Sequence, residues 1–225
     1  MQVTNLAYFY ETSRKLRGGK WVWVKDGNGE QRNNVLLGGT ILNPKKGFDH
    51  LYAAQLVQYT PAQGCLIFRS FAVKTATSAA TDTTIYIKAD GYSDAPEAGM
   101  LIMKAPSAAT TKGQSAVVTS VEYDADNEQF EVVLSVALGS LAVDDILVEA
   151  AGTAAAAQAS VLVPNPNTFI EADRDLLPTD GYGVTNANYS ISTVYNKQAW
   201  IARMQPLPAY VIAKNRSYID GIFWI

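Results

Sequence analysis

Histidine and cysteine occur once each in 225 residues, as His50 and Cys65, and that scarcity removes most catalytic and metal chemistries. A zinc centre of thiolate and imidazole ligands lacks its ligands. A Ser-His-Asp triad would have to use His50 as its base, and the chain holds no Gly-x-Ser-x-Gly turn to present a serine. His50 is therefore read as a helix-face or turn residue. Cys65, in the apolar run Cys65-Leu-Ile-Phe68, has no partner for an internal disulfide and is read as a small buried hydrophobe. Phosphate-cradling GxxxxGK[ST] and GxGxxG loops are absent. So is any uncharged apolar run of about 18 residues, the length that spans a membrane. The opening MQVTNLAYFYETSRK does not lead from a basic stretch into an apolar one, so no secretory signal is expected and synthesis is placed in a cytoplasm.

Charge is scarce as well. Charged residues make up 17% against 48% hydrophobic ones, so Thr, Ser, Asn, Gln and Ala must supply much of the surface. Such a surface suits a protein packed against neighbours in an assembly, and equally an ordinary β-protein. Two stretches, Asp26-Gly-Asn28-Gly-Glu30 and Asp124-Ala-Asp126-Asn-Glu128, open like EF-hand calcium loops. That loop needs glycine at its sixth position and a bidentate glutamate at its twelfth. Those places hold Gln31 and Leu37 in the first stretch, and Gln129 and Ser135 in the second. Polar turns account for both. The carboxylate pairs Asp173/Asp175 and Asp144/Asp145 are read as turn residues too. No enzyme, no metal and no cofactor is expected.

What is present is strand patterning. Phe71–Thr77, Thr83–Lys88, Met100–Met103, Ser115–Tyr123, Phe130–Val136 and Ile146–Glu149 are short runs rich in β-branched residues, separated by clusters of Gly, Asp, Asn and Pro. Asp124–Glu128 is the expected hairpin loop between the fourth and fifth. Six such runs predict a small antiparallel β-barrel or sandwich in the middle of a mainly β chain, flanked by mixed N- and C-terminal segments. Lys20-Trp-Val-Trp-Val-Lys25 also reads as a strand by composition. Apolar residues at 48, 51, 52, 56 and 59 fit a helical stripe, which predicts a short helix over 48–59. Residues 152–160 are small and read as a joint or a short helix. The prolines of Val161-Leu-Val-Pro-Asn-Pro-Asn167 prevent a helix there. The apolar end Ile222-Phe-Trp-Ile225 must be buried, in this chain's core or against a partner.

The net charge of −3 conceals a separation by segment. Residues 1–70 carry nine Lys/Arg against four Asp/Glu, a net of +5. Residues 71–151 carry four against twelve, a net of −8, and residues 152–225 balance at five each. Three segments follow: a basic one over 1–70, an acidic β-module over 71–151, and a C-terminal one over 152–225. The densest basic patch is Arg14, Lys15, Arg17 and Lys20, with Trp21 and Trp23 beside it. Phosphates and stacking would suit such a patch. Its shortness and an overall pI near 5.2 argue instead for an acidic protein neighbour or plain solvation. Nucleic acid is not expected as a partner.

The stretch from Lys74-Thr-Ala-Thr-Ser-Ala-Ala-Thr-Asp-Thr-Thr-Ile-Tyr-Ile87 through Gly99-Met-Leu-Ile102, Val117–Val121 and Leu138-Gly-Ser-Leu-Ala-Val-Asp-Asp-Ile-Leu-Val-Glu-Ala150 resembles a module of phage head-fibre and capsid-decoration proteins. That module runs from a Thr/Ser/Ala-rich opening to a strand, a Gly-led strand, a Val-rich hairpin and a closing L-x-V-G-D-x-L step. Asp144 stands where the closing step has glycine, so the last turn is expected to differ. The flanks resemble auxiliary capsid and head-fibre proteins of Bacteroides-type tailed phages. The resemblance implies a virion structural protein on the capsid surface, made in the host bacterial cytoplasm, with the major capsid protein or other virion proteins as partners. It leaves a homo-oligomer open, involves no membrane, and brings no catalytic residues. Arg14, Lys15, Arg17, Lys20, Trp21 and Trp23 are then the capsid-binding candidates. A second expectation is a carbohydrate- or receptor-binding β-module of a phage tail or fibre, with Trp21, Trp23, Tyr92 and Tyr182 as platforms. A small hydrolase would need convergent carboxylates that the sequence does not display.

Overall fold

A computed structural model describes residues 34–43, 49–51, 55–60, 64–89, 95–152, 158–170, 174–176, 188–194, 197–199, 205–214 and 222–224. The protein is mainly β. Its strands are β1 (Asn34–Thr40), β2 (Asp49–Leu51), β3 (Leu56–Thr60), β4 (Gly64–Ile67), β5 (Ser70–Thr75), β6 (Thr84–Lys88), β7 (Leu101–Lys104) and β8 (Ser115–Asp124). They continue with β9 (Gln129–Leu134), β10 (Ile146–Ala151), β11 (Ser160–Val161), β12 (Thr168–Ile170), β13 (Arg174–Leu176), β14 (Asn188–Val194), β15 (Lys197–Ala199) and β16 (Ile222–Trp224). One short helix is described, α1 (Ala209–Lys214), and Pro208 sits just before it, where a missing N–H costs nothing. The chain divides into two compact units, residues 69–164 with 205–212 and residues 1–68 with 165–204 and 213–225.

In the first unit β10, β5, β6, β9, β8 and β7 pair in that order, all antiparallel, and β10 also pairs with β7. Leu147 lies opposite Phe71 on one side and Lys104 on the other, so the ring is closed. This is a six-stranded barrel, and each of the six expected strand runs supplies one stave. Period-two alternation explains its filling. Ile85 and Ile87 of β6, Val132 and Leu134 of β9, Ala116 and Val118 of β8, Ile102, Leu147, Phe71 and Val73 form one buried cluster. Register shifts at Val73/Thr75 and Val118/Ser120 bend the wall, as closure of so small a barrel requires. Leu138 and Leu141, from the loop between β9 and β10, join the cluster from one end. That loop is held by Thr77, whose N–H donates to the Leu141 carbonyl at 3.0 Å and whose hydroxyl accepts from the Leu141 N–H at 2.9 Å.

Alternation turns Ser70, Ala72, Met103, Ser115, Val148 and Ala150 away from the barrel interior, yet all are buried. A second layer must therefore cover that wall. It comes from the same unit, beyond the 71–151 stretch. β11 pairs with the end of β10, Gly113 bridges to Ala159, and the Ser70 hydroxyl donates to the Pro206 carbonyl at 2.6 Å. A Cβ on Gly113 would lie 3.1 Å from the Met103 Cε, so the bare backbone is what admits this close approach. Burial pushes the Tyr210 phenol up, and its hydroxyl donates to the Val163 carbonyl at 3.3 Å.

The second unit contains a five-stranded sheet in the order β1-β14-β12-β3-β4. Ile41, immediately after β1, bridges in parallel to Cys65 of β4, and the Leu42 N–H donates to the Cys65 carbonyl at 2.9 Å. The two outer strands thus meet. Two asparagine side chains then act as extra peptide groups. The Asn43 amide donates to the Ile67 carbonyl and accepts from the Ile67 N–H, both at 2.8 Å. The Asn167 amide does the same with Tyr59, at 3.0 and 2.9 Å. Each asparagine adjoins a proline, Pro44 or Pro166, which has no N–H to give a ladder. The helix expected over 48–59 is not formed. β2 and β3 lie there, because β2 pairs with β13 and β3 pairs with both β4 and β12, and these ladders override an indifferent helical stripe. His50 accordingly stands in a strand, opposite Asp175. The apolar end supplies β16, which runs parallel to β15.

Gly139 has φ +84°, and a Cβ added there would meet nothing within 4 Å, so its substitution isolates backbone strain from steric clash. Gly139→Ala is expected to cost about 1–2 kcal/mol, the penalty of a left-handed alanine, as read from urea midpoints.

Candidate functional site

The acidic face of the barrel unit is concentrated on the β8–β9 hairpin. Glu122, Asp124, Asp126, Glu128 and Glu131 fall within ten residues, and no lysine or arginine occurs between residues 113 and 164. Glu122 lies directly opposite Glu131, a like-charge pairing that disfavours the hairpin by itself. The tip, residues 125–128, is the expected loop, and the Asp124 carboxylate closes it. That carboxylate accepts from the Asn127 side chain at 2.7 Å, the Gln129 side chain at 3.0 Å, and the backbone N–H groups of Asp126 and Asn127 at 3.1 and 3.2 Å. The Asn127 side chain foremost, with these other donors, holds the Asp124 carboxyl below its ordinary 3.8 against a smaller opposing desolvation. An Asx-type turn, not a calcium loop, explains the Asp-x-Asp pattern.

Tyr123 is 59% exposed, and its ring is tilted against Phe130 with centroids 5.3 Å apart. β8 is longer than its neighbour on the side away from β9. β7 pairs with Ser115–Val117, and two further bonds link Val118 to Gly99 and Met100. Beyond them, Thr119–Asp124 pairs only with β9 among the described residues.

Asp144 and Asp145, in the turn before β10, do not converge as a catalytic pair. Asp144 adopts φ +69°, the left-handed backbone that glycine favours, and its carboxylate takes a hydrogen bond from Lys88. The closing turn thus keeps a glycine-type backbone although it carries an aspartate. Asp145 accepts from Lys104 Nζ at 2.6 Å and from the Ala142 N–H at 2.7 Å. Burial opposes ionisation of Asp145, and these hydrogen bonds together with the Lys104 charge outweigh it and hold the carboxyl below 3.8. A carboxyl depressed by folding stabilises the native state above its ordinary value, and that contribution disappears as pH falls through the lower folded value. Asp145→Asn is expected to flatten the decline of thermal stability below pH 3.8, measured by melting across an acid series. An unchanged decline would mean that this turn is not tied down by Asp145.

Cys65 is buried and its thiol is pushed up to about 12 by desolvation, which makes it an inert packing group. The capsid-binding candidates Arg14, Lys15, Arg17, Lys20, Trp21 and Trp23 lie outside the described residues, as do Tyr92, Tyr182, Asp26–Glu30 and Asp173. The pairing of Lys88 with Asp144 and of Lys104 with Asp145 leaves no trace in the sequence, where 56 and 41 positions separate the partners. Among the described residues no helix is long and apolar enough to cross a membrane, and no three His, Cys, Asp or Glu side chains gather as a metal site. No family model, no curated protein and no solved structure matches the chain.

Proposed function

We propose that the chain is a non-catalytic structural protein of a phage virion, a capsid-decoration (auxiliary) or head-fibre protein attached to the outer shell of the head. The observation that carries this reading is the closed acidic barrel. Its unit has five Lys/Arg against twelve Asp/Glu, a net of −7, while residues 1–33 carry six against three, a net of +3. Pairing of β10 with β7 leaves neither as the edge by which crowded β-proteins aggregate, and a net negative charge disfavours contact between barrels of repeated copies. Both properties suit a module displayed many times on one surface. The basic segment, through Arg14, Lys15 and Arg17, is then the part that meets the shell. An anchor of ordinary interface size, about 1,200–2,000 Å² in total, would hold it, and repetition would add avidity.

Co-sedimentation of the purified chain with phage heads tests this. The joint substitution Arg14→Glu, Lys15→Glu and Arg17→Glu is expected to weaken binding by about tenfold or more, since three reversed contacts cost together at least ~1.4 kcal/mol. If that variant remains fully bound at physiological salt, the anchor lies elsewhere. If the native chain ignores heads altogether, the capsid role is wrong.

A further inference from the structure

We infer that two copies of this chain associate through one end of the barrel, with Asp82 of each copy facing Lys112 of the other. β5 and β7 both run antiparallel to β10, and β5 and β9 both run antiparallel to β6, so β5, β7 and β9 share one direction. The loops that follow them, residues 76–83, 105–114 and 135–145, therefore form one rim, and all three are described throughout. β9 lies between β6 and β8, and β10 lies between β5 and β7, so residues 135–145 cross the barrel mouth. The other two loops flank that crossing and repeat a single turn. Each holds Ser-Ala-Ala-Thr, at Ser78–Thr81 and at Ser107–Thr110. Each closes in the same way: the Asp82 N–H donates to the Ala79 carbonyl at 3.2 Å, and the Thr111 N–H donates to the Ala108 carbonyl at 2.9 Å.

Charge decides which end can meet a second copy. At the opposite end, residues 95–100 and 124–129 hold Glu97, Asp124, Asp126 and Glu128 and no lysine or arginine. The rim holds Asp82, Lys112, Asp144 and Asp145, and Lys88 and Lys104 already neutralise the last two. Asp82 and Lys112 cancel, so this end has no net charge on a barrel unit of net −7. The same two charges make the rim self-complementary. Asp82 Oδ2 accepts from the Ser78 hydroxyl at 2.9 Å and from the Ala79 N–H at 2.8 Å, while its Oδ1 has no hydrogen bond among the described residues. Lys112 is exposed and makes no ion pair among those residues. Thr111 takes the place of Asp82 in the twin turn, so the turn itself does not require a carboxylate. A twofold axis midway between the turns sets the first turn of each copy against the second turn of the other, and Asp82 meets Lys112 twice. Ala142 and Val143, the latter 52% exposed, stand on the crossing loop between the twin turns and give the contact an apolar centre. The bonds of Thr77 to Leu141 and of Lys104 to Asp145 already order the rim, so little entropy is lost on docking.

Sedimentation equilibrium of the full chain, without particles, tests the contact. The rim is small, so the native chain is expected to dimerise weakly, with a Kd of about 10–100 μM. Lys112→Glu and Asp82→Lys each turn two attractions into two repulsions, and each is expected to associate at least tenfold more weakly. Combined in one chain, the two substitutions exchange the charges and are expected to restore the dimer. A mixture of the two single variants is expected to form a heterodimer for the same reason. Lys112→Glu breaks no ion pair among the described residues, and circular dichroism checks that every variant is folded. Asp126→Lys, at the opposite end, is expected not to weaken the dimer. The inference is overturned by a native chain that stays monomeric up to about 1 mM, or by a Lys112→Glu chain that dimerises as the native chain does. It is equally overturned by a folded double variant no stronger than the single ones, or by loss of the dimer in Asp126→Lys. Particle binding is absent from this experiment, so the capsid role and the rim contact can fail separately.

Discussion

Glu149→Ala is expected to destabilise the barrel unit by about 3–5 kcal/mol, the usual cost of stripping one partner from a buried ion pair. The Arg69 guanidinium is 1% exposed and lies 3.2 Å from the Glu149 carboxylate, itself 13% exposed. The Arg69 carbonyl also accepts from the Glu149 N–H at 3.4 Å, so the two residues meet through backbone and side chain alike. With alanine at 149, a guanidinium almost wholly removed from water keeps its charge and loses the Glu149 carboxylate, since arginine does not deprotonate in compensation. The matched change Arg69→Met with Glu149→Leu removes both charges and keeps the volume. It is expected to lose clearly less than the single substitution, because apolar replacements of buried pairs are often neutral or better. Urea unfolding of the three proteins decides it. A single variant within about 1 kcal/mol of the native protein would show that Glu149 is not what compensates the Arg69 charge.

Asn43→Ala is expected to cost about 2–4 kcal/mol, because it leaves two main-chain groups of one buried residue without their bonds. Ile67 is fully buried, and its N–H and carbonyl both bond to the Asn43 side chain. No hydrophobic substitute at 43 can replace either bond. Asn43→Asp separates the two contributions: the carboxylate still accepts from the Ile67 N–H but confronts the Ile67 carbonyl with a second acceptor. It is expected to be no better than alanine at neutral pH and to recover in acid, once a proton restores a donor. Thermal melting of both variants at neutral and acid pH measures this. A near-native Asn43→Ala protein would mean that the sheet is held by its regular ladders alone.

Much of the barrel was legible in the sequence because its staves alternate. Ile85/Ile87, Val132/Leu134 and Ala116/Val118 each place two apolar side chains on one face with a polar or half-buried residue between them. The hairpin loop at 125–128 was equally legible, since Asp and Asn are the residues that close such a turn with their own side chains. The stretch 48–59 misled because its apolar spacing satisfies a helix about as well as two short strands, and partners distant in sequence, β4, β12 and β13, made the choice. Of the candidate site, the carboxylates were legible as turn residues. Their lysine partners were not, because Lys88 and Lys104 lie 56 and 41 positions from Asp144 and Asp145.

The amino-acid sequence alone determined the strand inventory of the central module, the poverty of catalytic and metal-binding side chains, and the division of charge between a basic N-terminal segment and an acidic middle. Composition and period-two alternation are local properties, and they are fixed wherever the chain goes. Only the tertiary structure decided that β10 pairs on both sides and closes the barrel, that residues 158–164 and 205–212 cover one wall, and that Arg69 meets Glu149. Those contacts join residues up to 136 positions apart, as Ser70 and Pro206 are. Their formation depends on which surfaces remain unburied once the strands exist, and that is a property of the folded chain.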